Sequence, residues 1–242
     1  MGWFRDEGYP KKLFWAFIVI WLISFIGIKY PFDFFLEHIF TVVFVGILVL
    51  TYNKFRLSNV SYTFLFVYMM LHVIGAHYTY SLVPYDKWSE TIFGGNITNY
   101  FGWTRNMYDR LVHLCFGLFM AYPVREIFLR ITKVKGFWGY YLPLDVMASF
   151  SCLYEIVEMF IALSMGAEVG ATYNGEQGDT RDAIKDMTMA VSGGVISMLA
   201  LFFINLKLKR DFWKDWAEGF RIKREAPLGE VELLRMLKKN KR

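Results

Sequence analysis

Residues 34–52 read FFLEHIFTVVFVGILVLTY. Apart from Glu37 and His38 this run carries no ionisable side chain before Tyr52, and most of the rest is apolar. A helix of about 20 such residues crosses a hydrocarbon core of ~30 Å, and in lipid the backbone must satisfy its own hydrogen bonds, so helix is the expected form. Five more segments share this character: Lys12 to Ile28, Val60 to Leu82, Tyr108 to Ile131, Phe137 to Met165 and Asp182 to Leu206. The sequence therefore predicts an all-α polytopic membrane bundle of six transmembrane helices. The whole composition agrees: 242 residues with 55% hydrophobic side chains, 20% charged and a mean hydropathy of +0.31. A soluble domain carries about 25% charged residues, and disorder, collagen and disulfide scaffolds are excluded as well. Cys115 and Cys152 both fall in apolar runs and read as small buried hydrophobes.

Charge in the connections sets the expected orientation. With both termini in the cytoplasm, 21 Lys and Arg residues lie on the inner side and 6 on the outer side, the asymmetry expected of cytoplasmic connections. Lys11 and Lys12 precede a first apolar run with no small-x-small cleavage site, so this run reads as a retained signal anchor. The net charge of +5 calls for no nucleic acid, because the bases sit where a membrane needs them. The expected division is a transmembrane domain over 1–206 and a basic amphipathic cytoplasmic tail over 207–242. In that tail Phe212, Trp213, Trp216 and Phe220 alternate with Lys209, Arg210, Lys214, Arg221, Lys223 and Arg224, which suits an anionic leaflet. Beyond Pro227, Leu228, Val231, Leu234 and Leu237 form a second short stripe. The connection from Val83 to Met107 is long for a bundle and holds Tyr85, Trp88, Phe93, Tyr100, Phe101 and Trp103, so an interfacial helix or lid is expected there.

The ionisable residues of the outer half carry the functional reading. A charge at mid-helix costs at least ~2.5–3.5 kcal/mol, so each one needs a reason. On the outer side 12 acids, Asp33, Glu37, Asp86, Glu90, Asp109, Glu155, Glu158, Glu168, Glu176, Asp179, Asp182 and Asp186, face only 6 bases. Ion pairing alone leaves carboxylates over, and a bound cation or protonation must relieve them. Asp109 and His113 are four apart, Glu155 and Glu158 three apart, and Asp182 and Asp186 four apart, so each pair shares a helix face. At 1.5 Å rise per residue, His113, Asp186, Glu158, Glu37, His38 and His77 all fall roughly 6–10 Å below the outer ends of their helices. Facing helices that project Glu and His to one level are how bundles build metal sites. Mixed His and carboxylate donors suit zinc, manganese or iron, and carboxylates alone suit magnesium or calcium. His72, about 15 Å deep, reads as a hydrogen-bonded packing residue, and Glu126 with Arg130 as a salt bridge at the cytoplasmic end.

The stretch Asn106-Met107-Tyr108-Asp109-Arg110-Leu111-Val112-His113, the Glu155/Glu158 pair, and Gln177-Gly178-Asp179-Thr180-Arg181-Asp182 with Asp186-Met187 resemble the YjdF type of bacterial and archaeal inner-membrane proteins. That family has no assigned reaction and is distantly similar to VanZ-like membrane proteins. The resemblance runs from about Asn99 to Leu201. It departs at Arg181, where an aromatic is usual, and at Ile184, where a polar amide is usual. It implies a multi-pass inner-membrane protein with a polar site.

Two functions from different classes fit these residues. In the first, a divalent metal (zinc, manganese, iron or magnesium) held by His113, Glu158, Asp179, Asp186 and His77 serves a hydrolase or transferase. Asp109, Glu155 and Asp182 act in catalysis, and Arg105, Arg110 and Tyr108 hold the headgroup of a membrane lipid. In the second, the same acids relay protons or cations in a small transporter. Gly-x-Ser-x-Gly and His-Glu-x-x-His are absent from the sequence, which sets aside the corresponding hydrolase templates. Gly166, Gly170, Gly175 and Gly178 punctuate the connection before the sixth segment, and Ala190, Gly193, Gly194, Ser197 and Met198 give that segment a small-residue face for close helix contact.

Overall fold

The computed structural model describes residues 6–165, 177–208, 212–221 and 228–239. Glu168, Glu176, Gly166, Gly170, Gly175, Lys209, Arg210, Lys223, Arg224 and Pro227 lie outside the described residues. All regular structure among those described is helical: α1 (Tyr9–Ile23), α2 (Pro31–Thr51), α3 (Asn59–Tyr78), a 3₁₀ turn (Tyr80–Leu82), α4 (Tyr85–Phe93), α5 (Ile97–Phe101), α6 (Tyr108–Ile131), α7 (Trp138–Met165), α8 (Asp182–Leu208), α9 (Phe212–Gly219) and α10 (Leu228–Lys239).

Five of these, α2, α3, α6, α7 and α8, are long and apolar enough to cross a membrane. The first segment falls short of the expected Lys12–Ile28. It ends at Ile23 after 15 residues, or roughly 22 Å. There Ser24 Oγ donates to the Trp21 carbonyl (2.6 Å), and Gly27 takes a φ of +77° that continues no helix. The third segment also stops early, at Tyr78, because Thr79 adopts the left-handed region (φ 55°, ψ 66°). The chain then turns back so that the Tyr80 ring covers Gly75, where a Cβ would lie 2.5 Å from Tyr80 Cε1. Tyr80 Oη meets His72 Nδ1 at 2.5 Å, and His72 Nε2 meets Thr41 Oγ1 at 2.9 Å. His72 thus joins α2 to α3 as a fully partnered packing residue.

The centre of the bundle is α6, which packs on α3, α7 and α8. Its tightest partner is α8. A Cβ on Gly117 would overlap the Ala190 carbonyl oxygen, and one on Gly193 would overlap the Leu114 carbonyl oxygen. Helices in lipid gain nothing from excluding water, so close backbone packing of this kind holds them together. Gly194 turns toward α7, with Leu144 Cδ2 3.1 Å from where its Cβ would stand. The expected small-residue face of α8 therefore serves two neighbours. Around this centre the outward side chains are apolar, among them Val43, Ile47 and Leu50 on α2 and Leu153, Phe160 and Leu163 on α7. Cys115 is buried, but Cys152 faces outward.

Contacts fix which helix ends lie together. Tyr9 Oη meets Thr63 Oγ1 (2.9 Å), and Glu126 accepts from Ser58 N (2.9 Å) and Arg130 (2.9 Å) as well as from Ser61 Oγ (2.6 Å). Asn205 Nδ2 donates to Tyr140 Oη at 2.9 Å. These pairs gather the start of α1, the start of α3, the end of α6, the start of α7 and the end of α8. The starts of α6 and α8 and the end of α3 form the opposite end, where α4 and α5 lie. The long connection forms two short helices, on which Phe93, Tyr100 and Phe101 are exposed.

In the tail, α9 docks on protein. Phe212 is buried, and Trp216 packs against Phe137, Tyr140 and Phe202 at ring distances of 5.5–6.0 Å. Gly136 (φ +55°) allows this approach, since a Cβ there would stand 2.6 Å from the Asp215 carbonyl oxygen. Trp213 and Phe220 remain exposed, so the aromatic face expected to lie on the leaflet is divided between protein and surroundings. Replacing Trp216 with alanine is expected to loosen this docking by about 2 kcal/mol and to speed tryptic cleavage of the tail about 30-fold, as measured by limited proteolysis in detergent.

Candidate metal centre

The Gly117/Gly193 contact has a consequence one and two turns away. It draws the first turns of α6 and α8 together, and with them Asp109, His113 and Asp186. One donor atom from each of these three lies within 4.8 Å of the other two. Asp109 and His113 stack at i, i+4, with His113 Nε2 3.7 Å from Asp109 Oδ1. From α7, Glu155 Oε1 comes to 3.4 Å from the same nitrogen. Three helices thus deliver three carboxylates and one imidazole.

Asp186 is 2% exposed and His113 8%. Asp186 Oδ1 and Glu155 Oε1 are both buried with no hydrogen-bond partner among the described residues. A buried charged acceptor left in this state costs several kcal/mol unless something satisfies it. The donor set fits a divalent cation. With ligand bonds of ~2.0–2.2 Å, two donors across a metal stand at most ~4.4 Å apart, so a bound ion has only to draw these atoms slightly inward. Nitrogen with oxygens is the chemistry of zinc, manganese or iron.

One turn outward, Asp179 and Asp182 belong to a different arrangement. Arg105 grips Asp182 with both terminal nitrogens (2.6 and 3.0 Å), and Arg110 Nη2 donates to Asp182 Oδ1 (2.9 Å) and Asp179 Oδ2 (2.6 Å). Lys185 Nζ reaches Asp179 Oδ2 at 2.6 Å. Hydrogen bonds from Lys185 and Arg110 hold the Asp179 carboxyl well below the usual carboxylate range. The structure therefore places these two expected site acids among Arg and Lys and not around the His113 group. Arg110 joins the two arrangements, its Nε lying 3.9 Å from Asp186 Oδ1.

The remaining expected residues divide. Glu158, a turn beyond Glu155, lies within electrostatic reach of Asp109, Glu155 and Glu37. His77 is not brought to the cluster: its Nδ1 meets the Ser24 carbonyl at 2.8 Å, on the side of α3 away from α6. On α3 it is Tyr68 that packs against Phe116 of α6, and His77 stands nine residues further on, about 180° around the helix. Tyr108 points inward and donates to the Leu71 carbonyl (2.9 Å). Two contacts escaped the sequence reading. Tyr154 Oη donates to buried Glu37 Oε2 at 3.0 Å, which ties α2 to the acids of α7, and Lys185 pairs with Asp179 across six residues. Only the calculated depth of Glu37 hinted at the first, and six is no helical repeat, so nothing hinted at the second.

Asn106 fastens the loops around the site. It exchanges two hydrogen bonds with Gln177 (3.0 and 3.2 Å), donates to the Val83 carbonyl (2.9 Å), and accepts from Tyr108 N (3.0 Å). These residues, with the acids and His113, make up a pattern that can be compared with other proteins. Residues 10–207 match the family described as predicted membrane protein (DUF2238). The chain belongs to the DUF2238 family. It is 30% identical over 172 residues to inner membrane protein YjdF of Escherichia coli strain K12, covering 71% of this chain and 78% of that relative. No solved structure matches. The DUF2238 match begins in α1 and so takes in α1, α2 and α3 as well as the stretch from Asn99 to Leu201 that carries the motifs. It ends just before α9. This DUF2238 protein is an integral membrane protein of an uncharacterised family.

Proposed function

We propose that this protein is a divalent-metal-dependent hydrolase or transferase of the inner membrane that acts on a lipid headgroup from the outer leaflet. The observation that carries the reading is the meeting of Asp109, His113 and Asp186 donor atoms within 4.8 Å, in a buried setting where Asp186 Oδ1 has no hydrogen bond among the described residues. His113, Asp109 and Asp186 hold the metal, which supplies a Lewis acid or an activated water. Glu155, 3.4 Å from His113 Nε2, takes a proton as general base, and Glu158 accepts it in turn. The six-span, N-in and C-in arrangement belongs to this proposal. It is supported by 21 inner against 6 outer basic residues, and by α1 starting at the bundle end where α8 finishes. A 15-residue α1 spans with Lys11 and Lys12 at one interface and the Ser24–Ile28 turn at the other. The exposed aromatics of α4 and α5 sit at the site end and suit a substrate that arrives through the headgroup layer.

Elemental analysis of the purified protein tests the metal. About one equivalent of zinc, manganese or iron per chain is expected to survive dialysis, and a metal-free wild type sinks the reading. A second reading, a proton- or cation-coupled transporter, draws on Glu37: a buried acid bonded to Tyr154 extends the polar path away from the metal group toward α2. Proton flux in proteoliposomes that stops on Glu37→Gln, in a protein without metal, selects it.

A further inference from the structure

Arg105, Arg110 and Lys185 converge on one oxygen of Asp179. Lys185 Nζ and Arg110 Nη2 each stand 2.6 Å from Asp179 Oδ2, and Arg105 Nη1 stands 3.7 Å from it. Three cations thus face a single carboxylate oxygen, two of them in hydrogen-bond contact with it. Asp182 neutralises part of this charge, being held by both arginines, and is buried at 5% side-chain exposure. Asp179 is the accessible member, at 20%, and sits in the turn before α8, beside Gly178 with its φ of +85°. Its other oxygen accepts from the Arg181 amide at 3.2 Å. Counting Arg105, Arg110 and Lys185 against Asp179, Asp182 and Asp186, which lies 3.9 Å from Arg110 Nε, these six residues balance at zero. Withdrawing Asp179 leaves +1, the charge a singly ionised phosphate would cancel. Guanidinium groups are suited to phosphate through paired donors, and the amides at the start of α8 add a partial positive charge. The position is right for the chemistry next door, because Arg110 Nε reaches to 3.9 Å from Asp186 of the metal group.

From this convergence we infer that Arg105, Arg110 and Lys185 form a phosphate-binding site, and that Asp179 is its internal occupant, a carboxylate that a substrate phosphate displaces. The inference rests on the reading above in which the substrate is an anionic headgroup, and it adds Lys185 to the recognition set and gives Asp179 a role apart from metal ligation. Resting protein then keeps the cations paired at the membrane surface, and an incoming phosphate exchanges for Asp179 without leaving buried charge uncompensated.

The test is the affinity of metal-free protein in phosphatidylcholine nanodiscs for inorganic phosphate, by calorimetry. Asp179→Asn is expected to raise that affinity about tenfold or more, and adding Lys185→Met to the same chain to remove the gain. Asp179→Ser is the second variant, should the amide disturb the turn. The lipid arm repeats the comparison in nanodiscs containing phosphatidic acid, counting retained lipid by native mass spectrometry. A larger gain for phosphatidic acid than for inorganic phosphate supports a lipid headgroup, and equal gains support a soluble phosphate. A folded Asp179→Asn or Asp179→Ser protein that binds phosphate no better than wild type overturns the inference. So does unfolding of both variants, since Asp179 would then be a structural strut. Because the assay contains no metal, a failed metal reading leaves its outcome readable.

Discussion

Replacing His113 with alanine is expected to strip the protein of its metal, and Asp186→Asn to weaken binding by more than about 100-fold. Changes to residues that only support a ligand cost 10–100-fold, and these two are ligands themselves. Asp186→Asn keeps the side chain's size while removing its charge, so a loss of metal with an unchanged elution profile and melting temperature reports ligation and not folding. Two controls sharpen the result. His77→Ala should leave metal content unchanged, because His77 is committed to the Ser24 carbonyl. Glu126→Gln should also leave it unchanged, because Glu126 serves Ser58, Ser61 and Arg130 at the far end of the bundle. Stoichiometric metal in both His113→Ala and Asp186→Asn would end the assignment of this centre.

The second large effect is expected in the glycine seam. Gly193→Leu forces a side chain into the Leu114 carbonyl and the Leu118 amide of α6, and both are backbone that no rotamer change can clear. Gly117→Leu does the same to Ala190 and Gly194. Overpacking of an ordinary core costs 1–3 kcal/mol, and here whole helices must separate, so each change should cost at least about 3 kcal/mol and lower the melting temperature in detergent by many degrees. Gly46→Leu provides the contrast: nothing lies within 4 Å of a Cβ there, and stability should hardly change. If Gly193→Leu melted like Gly46→Leu, the close approach of α6 and α8 would be wrong, and with it the convergence of Asp109, His113 and Asp186. The seam and the metal group are therefore linked, and Gly193→Leu should also lose metal.

The spans were legible because lipid leaves a chain little choice. A run such as Phe34 to Tyr52 must form a helix once it is long and apolar enough, and only its ends escape this rule. That is where the reading and the structure part: Ser24 ends α1 and Thr79 ends α3 through local hydrogen bonds and a left-handed residue, neither of which hydropathy registers. The Asp109/His113 pair was legible for a similar reason, since i, i+4 spacing fixes one face of one helix whatever surrounds it. Which faces meet was another matter. Asp179, Asp182 and Asp186 look alike in sequence, yet two are held by Arg105, Arg110 and Lys185 while Asp186 turns to His113. His72 and His77 likewise look alike, yet one bonds Thr41 and Tyr80 and the other faces Ser24. The sequence alone determined that this is a helical membrane protein with surplus acids toward one end. Only the tertiary structure decided which acids are neutralised by cations and which are left to share His113, because that depends on the rotation of each helix about its axis, and the rotation is set by glycine contacts between helices that spacing along one chain does not encode.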